Sequence, residues 1–235
     1  MTPIRGIIFD KDGTLFDFNA TWGAWSQGML RDLAGGDAAL LARLAEVMGF
    51  DTDRQCFRPG SIVIAETTAF VAQAVLPYLD GMTLDEIVSQ MKSMSRHVPQ
   101  IQAAPLRPLM QRLKADGFRL GVVTNDNEAP AQAHLKGAEI DGMIDFVAGY
   151  DSGHGAKPDP APLLAFCAAT GLAPEYCVMI GDSLHDLHAG RAAGMATVGV
   201  LTGPAPEAEL APLSDVVLAS IADLPEWLAL RNAAS

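Results

Sequence analysis

The chain has 235 residues, 49% of them hydrophobic, and carries 28 acidic against 16 basic side chains. That length fits one large domain or a core with a smaller insertion, and the composition excludes a disordered chain. The acidic surplus argues against nucleic acid and anionic membranes as partners. A small anionic substrate remains admissible, because local positive charge in a cleft can outweigh a distant surplus.

The first element is a short apolar run, Gly6-Ile7-Ile8-Phe9, that ends at polar residues. Such a run suggests a strand covered on both faces, as in a parallel sheet. Residues 16–97 then read as helical almost throughout, over Ala20 to Leu33, Ala38 to Met48, Ile62 to Leu76 and Leu84 to Arg96. Thr83 with Glu86 three residues later is a capping-box signal for the last of these. A helix from Leu106 to Asp116 should stop before Gly117. Leu120-Gly121-Val122-Val123 reads as a second strand, and Phe146-Val147-Ala148 as a weaker one. Asp159-Pro160 marks a helix start, an N-cap followed by proline, with an end near Gly171. Cys177 to Ile180 is a further strand, Leu184 to Ala193 a helix stopped by Gly194, and Thr197 to Val200 a strand. Val216-Val217-Leu218 is a last, weaker candidate, and the tail from Ala233 should fray.

This alternation predicts an α/β fold: a Rossmann-like parallel sheet built from residues 1–15 and 98–235, with an α-helical domain, 16–97, inserted after the first strand. No run has the length of a membrane span, and the start of the chain has no signal-peptide pattern. Cys56, Cys167 and Cys177 have no metal-type spacing, so buried free thiols in a reducing cytoplasm are expected.

Four short motifs carry chemistry. Asp10-Lys11-Asp12-Gly13-Thr14-Leu15 follows the first strand. In extended chain, residues two apart share a side, so Asp10 and Asp12 are expected to face one site while Lys11 points away. Two such carboxylates can divide labour as nucleophile and general acid, and can hold a hard cation. Thr124-Asn125 ends another strand with a hydroxyl and a backbone N–H suited to a phosphate oxygen. Lys157, just before a helix, supplies fixed positive charge. Gly181-Asp182-Ser183-Leu184-His185-Asp186 places Asp182 and Asp186 at a strand exit and the first turn of a helix. Simple N-capping is the competing use of Asp182 and Ser183. His185 and His188 share a helix face, which admits a zinc reading, but the carboxylates favour an oxygen-liganded magnesium. Taken singly, Thr124 fits a strand end and Lys157 a solvated loop. Together, the four motifs would meet at one edge of a parallel sheet.

In the order and spacing of Asp10-Lys11-Asp12-Gly13-Thr14, Thr124-Asn125, Lys157-Pro158 and Gly181-Asp182 with Asp186, the chain resembles the haloacid-dehalogenase-like hydrolase superfamily. The inserted helical segment resembles the cap of phosphoglycolate-phosphatase-like members. The resemblance implies that Asp10 attacks phosphorus and that Asp12 protonates the leaving alcohol, then activates water. It implies that Mg²⁺ is held by Asp10, the backbone carbonyl of Asp12 and Asp182, with Asp186 in support. Thr124, Asn125 and Lys157 would bind the phosphoryl group. Dehalogenase members lack the second aspartate and phosphonate-cleaving members replace it and use a cap lysine. Asp12 argues against both, as does the position of Lys92, the clear cap lysine, late in the segment.

The implied substrate is a small phosphorylated metabolite, with phosphoglycolate the best guess. A sugar phosphate, a nucleotide monophosphate, a phosphomutase reaction and a catalytically silent binding protein are the alternatives; the last expects a lost catalytic position, and none is lost. Phe18, Trp22 and Trp25 suit either a substrate pocket or packing between cap helices. In cap-bearing relatives a glycine-containing loop reaches the mouth of the site, which points to Arg58, Gly60 and Ser61 for substrate selectivity. There Arg58 could contact a second anionic group and the helix starting at Ile62 could offer its N-terminus. The sequence is silent on oligomeric state.

Overall fold

The structure, a computed structural model, describes residues 2–58, 60–65, 68–95 and 99–234, without the side chains of Ala65, Lys92 and Ser95. In chain order its elements are β1 (Gly6–Phe9), α1 (Phe18–Ala34), α2 (Ala38–Met48), β2 (Phe50–Asp51), β3 (Cys56–Phe57), α3 (Ile62–Ala65), α4 (Thr68–Val75), α5 (Leu84–Ser95) and α6 (Leu106–Ala115). Then follow β4 (Arg119–Val123), α7 (Glu128–Gly137), β5 (Phe146–Ala148), α8 (Ala161–Thr170), β6 (Cys177–Gly181), α9 (Leu184–Ala192), β7 (Ala196–Val200), α10 (Glu207–Leu210), β8 (Val216–Leu218) and α11 (Leu224–Ala233).

The chain divides into two compact units, Met1–Asp17 with Gln102–Ser235, and Phe18–Ile101. The division falls a few residues later than the sequence pattern placed it. Phe16 belongs to the first unit because its backbone bridges Asp12 and Gln102 and its ring is buried in that unit's core.

The first unit is the expected α/β fold. Its six described strands run parallel in the order β5-β4-β1-β6-β7-β8. Both faces are covered, which is why the strands read as unbroken apolar runs. Ile7 and Phe9 of β1 share one buried cluster with Leu106, Met110 and Leu113 of α6 and Leu224 and Leu228 of α11. Ile8 points the other way, into a cluster with Leu163, Phe166 and Cys167 of α8 and Cys177 and Met179 of β6. Cys167 and Cys177 are therefore buried free thiols, as expected, whereas Cys56 is only half-buried. Strand order reverses at β1, which lies between β4 and β6. The crevice beyond the carboxyl ends of strands at such a point is where open α/β sheets bind ligands.

The second unit is mostly helical, with its own core of Met29, Leu30, Leu44, Met48, Phe50, Val71, Val75 and Ile87. Thr83 and Glu86 form the expected capping box: each backbone N–H donates to the other's side chain, at 2.8 and 3.3 Å. Trp22 and Trp25 meet edge to face at 5.6 Å, and Phe18 meets Phe57 at 5.4 Å, so these aromatics pack within the unit. The antiparallel ribbon β2-β3 lies in the gap left between the expected helices Ala38 to Met48 and Ile62 to Leu76. Strands of two residues are too short to show a period. The helix expected from Ile62 to Leu76 is described as α3 and α4, and residues 66 and 67 between them lie outside the described residues, as do Pro59, Arg96, His97 and the side chain of Lys92. Among the described residues, no helix is long and apolar enough to cross a membrane.

The amino ends of the two edge strands are fastened by the same device. Asp145, just before β5, accepts the Leu120 N–H of β4 at 2.8 Å and pairs with Lys114 at 2.7 Å and Arg119 at 3.1 Å. Asp215, just before β8, accepts the Thr197 N–H of β7 at 3.2 Å and pairs with Arg191 and Arg231. Partial burial alone would raise the Asp145 carboxyl, but Lys114, the Leu120 N–H and Arg119 outweigh it and hold it below the ordinary range. A lowered folded value gives stability that is present above the unfolded value and lost as the pH falls through the folded one. Asp145→Asn should therefore cost about 1–2 kcal/mol at neutral pH, less than a buried pair because solvent screens it. The gap to wild type should close as the pH drops below about 4. Urea denaturation of both proteins across pH 3–7, roughly the span in which carboxylates titrate, measures it; a gap that persists in acid would mean the carboxylate's charge is not what holds the edge.

Candidate active site

Three adjacent strands deliver the site. Asp10 follows β1 directly, its N–H donating to the Ile180 carbonyl of β6 at 2.9 Å. Asp182 leaves β6 and Thr124 leaves β4, where the Thr124 N–H donates to the Ala148 carbonyl. Asp186 enters from the first turn of α9. Its Oδ2 accepts the Ser183 hydroxyl at 2.7 Å and the Ser183 N–H at 3.1 Å, a capping box. Ser183 is thus the N-cap, and Asp182 is left for the site.

Carboxylate oxygens of Asp10, Asp182 and Asp186 all lie within 4.8 Å of one another. Lys157, 5% exposed, stands among them. Its ammonium donates to Asp10 Oδ1 at 2.7 Å and to the Val123 carbonyl at 2.8 Å, and pairs with Asp186 Oδ1 at 2.5 Å. Asn125 holds the lysine's backbone from both sides: its amide donates to the Lys157 carbonyl and its oxygen accepts the Lys157 N–H, each at 2.9 Å. Asn125 therefore positions Lys157 as well as lying beside Thr124. The Thr124 hydroxyl is buried at the same edge and accepts the Asp126 N–H at 3.1 Å, which leaves its proton to donate.

Burial pushes the Asp10 carboxyl up to about 7; Lys157 opposes that rise, while Asp186 and Asp12 add to it. Burial, Asp10 and Asp186 raise Asp182 well above the carboxylate range. Burial alone would lower the Lys157 ammonium, but Asp10 and Asp186 prevail and hold it above its ordinary value. One lysine cannot neutralise three carboxylates. Each like-charged pair at such a separation costs roughly 3 kcal/mol at an effective dielectric near 20. An all-oxygen, net-negative cradle of this kind fits a hard divalent cation, and Asp10, Asp182 and Asp186 are the residues able to hold one. His185 and His188 are exposed on α9 and stand outside this cluster.

Asp12 follows Asp10 by two residues, and its charge acts on the Asp10 carboxyl. The expectation for Lys11 is overturned. Its side chain is 1% exposed, and its ammonium pairs with Asp12 Oδ2 at 2.6 Å and Asp126 Oδ2 at 3.2 Å. The reason is local: β1 ends at Phe9 and the chain turns at Lys11, so strand alternation no longer governs it.

Arg58, Gly60 and Ser61 lie in the second unit. Arg58 is exposed and pairs with Glu46 at 2.6 Å. Ser61 is buried, its hydroxyl donating to the Met48 carbonyl at 2.5 Å and accepting the Val63 N–H at 3.3 Å. Gly60 adopts φ +78° in the turn before α3. The expected helix N-terminus there belongs to the single turn Ile62–Ala65.

Two residues of the site escape motif reading. Thr202, after β7, donates its hydroxyl to the Gly13 carbonyl at 2.6 Å. Gly203 follows, and a methyl added there would overlap the Asp182 carboxylate. A methyl added at Gly13, which sits at φ +77°, would overlap the same carboxylate. The signal available was Thr202-Gly203-Pro204 at the exit of a strand on the site's edge.

Carboxylates and a buried lysine at the switch point of a parallel sheet mark the ligand site of an open α/β fold. Residues 7–200 match the family described as haloacid dehalogenase-like hydrolase, and the chain belongs to that family. A phosphoglycolate phosphatase of Psychrobacter arcticus is 31% identical over 210 residues, 84% of this chain and 83% of the relative. One of Rhodospirillum rubrum is 30% identical over 231 residues, 95% of this chain and 90% of the relative. A HAD-family hydrolase of Deinococcus radiodurans, solved with bound phosphate and sodium, superimposes with a TM-score of 0.71 at 24% identity. That match covers 97% of this chain and 96% of the other.

Gly203→Ala should displace Asp182 and weaken divalent-cation binding about tenfold or more, the usual scale for disturbing a ligand's support. A magnesium titration of the purified protein by calorimetry measures it; unchanged affinity would mean that the loop yields and Asp182 stays.

Proposed function

We propose that the chain is a magnesium-dependent phosphatase acting through an aspartyl-phosphate, with phosphoglycolate the favoured substrate. The observation that carries this reading is Lys157 bonded to Asp10 inside the buried cluster of Asp10, Asp182 and Asp186. The names of the relatives support the substrate class. Asp10 attacks phosphorus as the ester P–O bond breaks. Asp12 gives a proton to the departing alkoxide, then takes one from the water that cleaves the Asp10–phosphate bond. Thr124, the Asn125 backbone N–H and Lys157 bind the equatorial oxygens, where charge builds up. Asp10, the Asp12 backbone carbonyl and Asp182, with Asp186 in support, would hold magnesium, whose charge would offset repulsion between an anionic nucleophile and an anionic ester. Phosphate monoesters need rate enhancements of up to about 10²¹-fold, and a buried, prearranged set of charges is the means available. The free thiols fit a reducing compartment, and we place the enzyme in the cytoplasm.

A second reading, phosphoryl transfer to another substrate, has one support: a Thermotoga maritima protein provisionally designated β-phosphoglucomutase superimposes with a TM-score of 0.76 at 17% identity, covering 96% of this chain. Release of inorganic phosphate in proportion to substrate consumed separates the two. We further propose residues 16–97 as the cap, with Arg58, Gly60 and Ser61 shaping selectivity.

Asp10→Asn should abolish turnover while thermal unfolding stays close to wild type. Near-normal turnover, with reversion to Asp excluded by mass spectrometry, would remove the mechanism, as would full activity after exhaustive chelation. Arg58→Ala should lower kcat/KM on phosphoglycolate about ten- to a hundredfold, the scale of a charge-assisted contact, with much less effect on a neutral aryl phosphate. Equal loss on both substrates would make Arg58 a structural residue of its unit.

A further inference from the structure

Lys11 is one of the largest fully buried side chains in the molecule, yet the reaction as proposed gives it no task. A buried ammonium is retained only with partners to offset its desolvation. Lys11 has three: Asp12 Oδ2 at 2.6 Å, Asp126 Oδ2 at 3.2 Å and His134 Nδ1 at 3.3 Å. They come from three places: the loop after β1, the loop after β4, and α7. An ammonium offers three donors and no acceptor, so His134 accepts at Nδ1 and is neutral there. Burial and the neighbouring Lys11 charge both lower its imidazole, in agreement. Phe16 packs edge to face on the His134 ring at 6.1 Å and fixes its plane.

The consequence falls on Asp12. Its Oδ2 is taken by Lys11, while its Oδ1 has no hydrogen-bond partner among the described residues. A carboxyl tied by one oxygen cannot spin about its last torsion. The other oxygen, buried and unpaired among the described residues, is then the one left uncommitted.

We propose that Lys11 is a positioning residue that fixes the Asp12 carboxyl, with Asp126 and His134 anchoring the lysine, so that one defined oxygen of Asp12 handles both proton transfers. The inference rests on the proposed role of Asp12. In the first step Asp10 bonds to phosphorus, the ester oxygen leaves with the bonding pair, and the Asp12 proton goes to that oxygen. In the second, water oxygen bonds to phosphorus, its proton goes to Asp12, and the P–O bond to Asp10 breaks.

The leaving group supplies the test. An alkoxide needs the proton as it departs; a nitrophenolate does not. kcat/KM reports the reaction through the first irreversible step, so it isolates proton donation. For Lys11→Met, kcat/KM on an alkyl phosphate such as phosphoglycolate should fall on the order of a hundredfold, the scale of general acid catalysis. On p-nitrophenyl phosphate it should change little, and a burst of nitrophenolate should precede slow turnover, because hydrolysis of the phospho-enzyme still needs Asp12. Asp126→Asn leaves the Lys11–Asp12 pair but removes one anchor. It should show the same selective pattern more weakly, and serves if Lys11→Met does not fold. Asp12→Asn is the control. If it shows the leaving-group pattern and neither Lys11→Met nor Asp126→Asn does, the inference about Lys11 is overturned and the role of Asp12 stands. If Asp12→Asn lacks the pattern too, the proposed acid–base role falls and the inference with it. Equal losses on both substrates in Lys11→Met would make the lysine a general support of the site, which also overturns it.

Discussion

Like-charge crowding governs this molecule. Asp10, Asp182 and Asp186 are held within one coordination sphere's reach around a single lysine. Left to themselves such groups would separate or take up protons; burial first, and then the neighbouring carboxylates, raise Asp10 and Asp182 in that direction. The surrounding structure therefore has to be rigid where it touches them. Asp10 and Asp182 are each fixed by a central strand with both faces buried. Asp186 is tied down by the capping box of α9, and Lys157 by the paired bonds of Asn125. The Thr202–Gly13 bond closes the loops around Asp182. Well-packed cores deform little, so repulsion among the carboxylates can be stored in the folded state, where a bound cation would relieve it.

The same constraint explains why the site could be read from sequence. A parallel sheet must bury both faces of its central strands, so each strand is a short apolar block ending abruptly at the edge. Ile7-Ile8-Phe9 before Asp10, and Val178-Met179-Ile180 before Gly181-Asp182, show the break at the point where chemistry begins. Strand order cannot be read in this way. Yet the need to bring Asp10, Thr124 and Asp182 together required β1 to have β4 and β6 as neighbours, and it does.

What escaped was set by turns and close approaches. Lys11 was assigned the wrong side because alternation was carried two residues past the end of β1. Thr202 and Gly203 carry no motif of their own; their importance lies in how near Asp182 comes, which is a tertiary fact. The ribbon β2-β3 is held by a register between Phe50 and Phe57 and by their ring contact, neither of which leaves a period in the chain. In the helical unit, the Ser61 hydroxyl donates to the Met48 carbonyl at the end of α2, a tertiary contact that leaves no mark in the sequence. Pattern reading succeeds where backbone periodicity fixes a side chain's direction, and fails where a turn does.

The two buried lysines divide the site's electrostatics. Lys157 pairs with Asp10 and Asp186, with Asp182 beside them, on the side proposed to hold phosphorus and metal. Lys11 pairs with Asp12, the proposed acid and base, and with Asp126. A single lysine placed between Asp10 and Asp12 would have bound both, and each change at one carboxylate would have altered the other's orientation. In the proposed reaction, two separate ammoniums, each using its donors on its own side, would let Asp10 become neutral as it is phosphorylated without releasing Asp12 from its place. Asp12 would then turn from acid to base within one turnover while its geometry stays the same, which is what a two-step reaction on a single phosphorus atom demands of it.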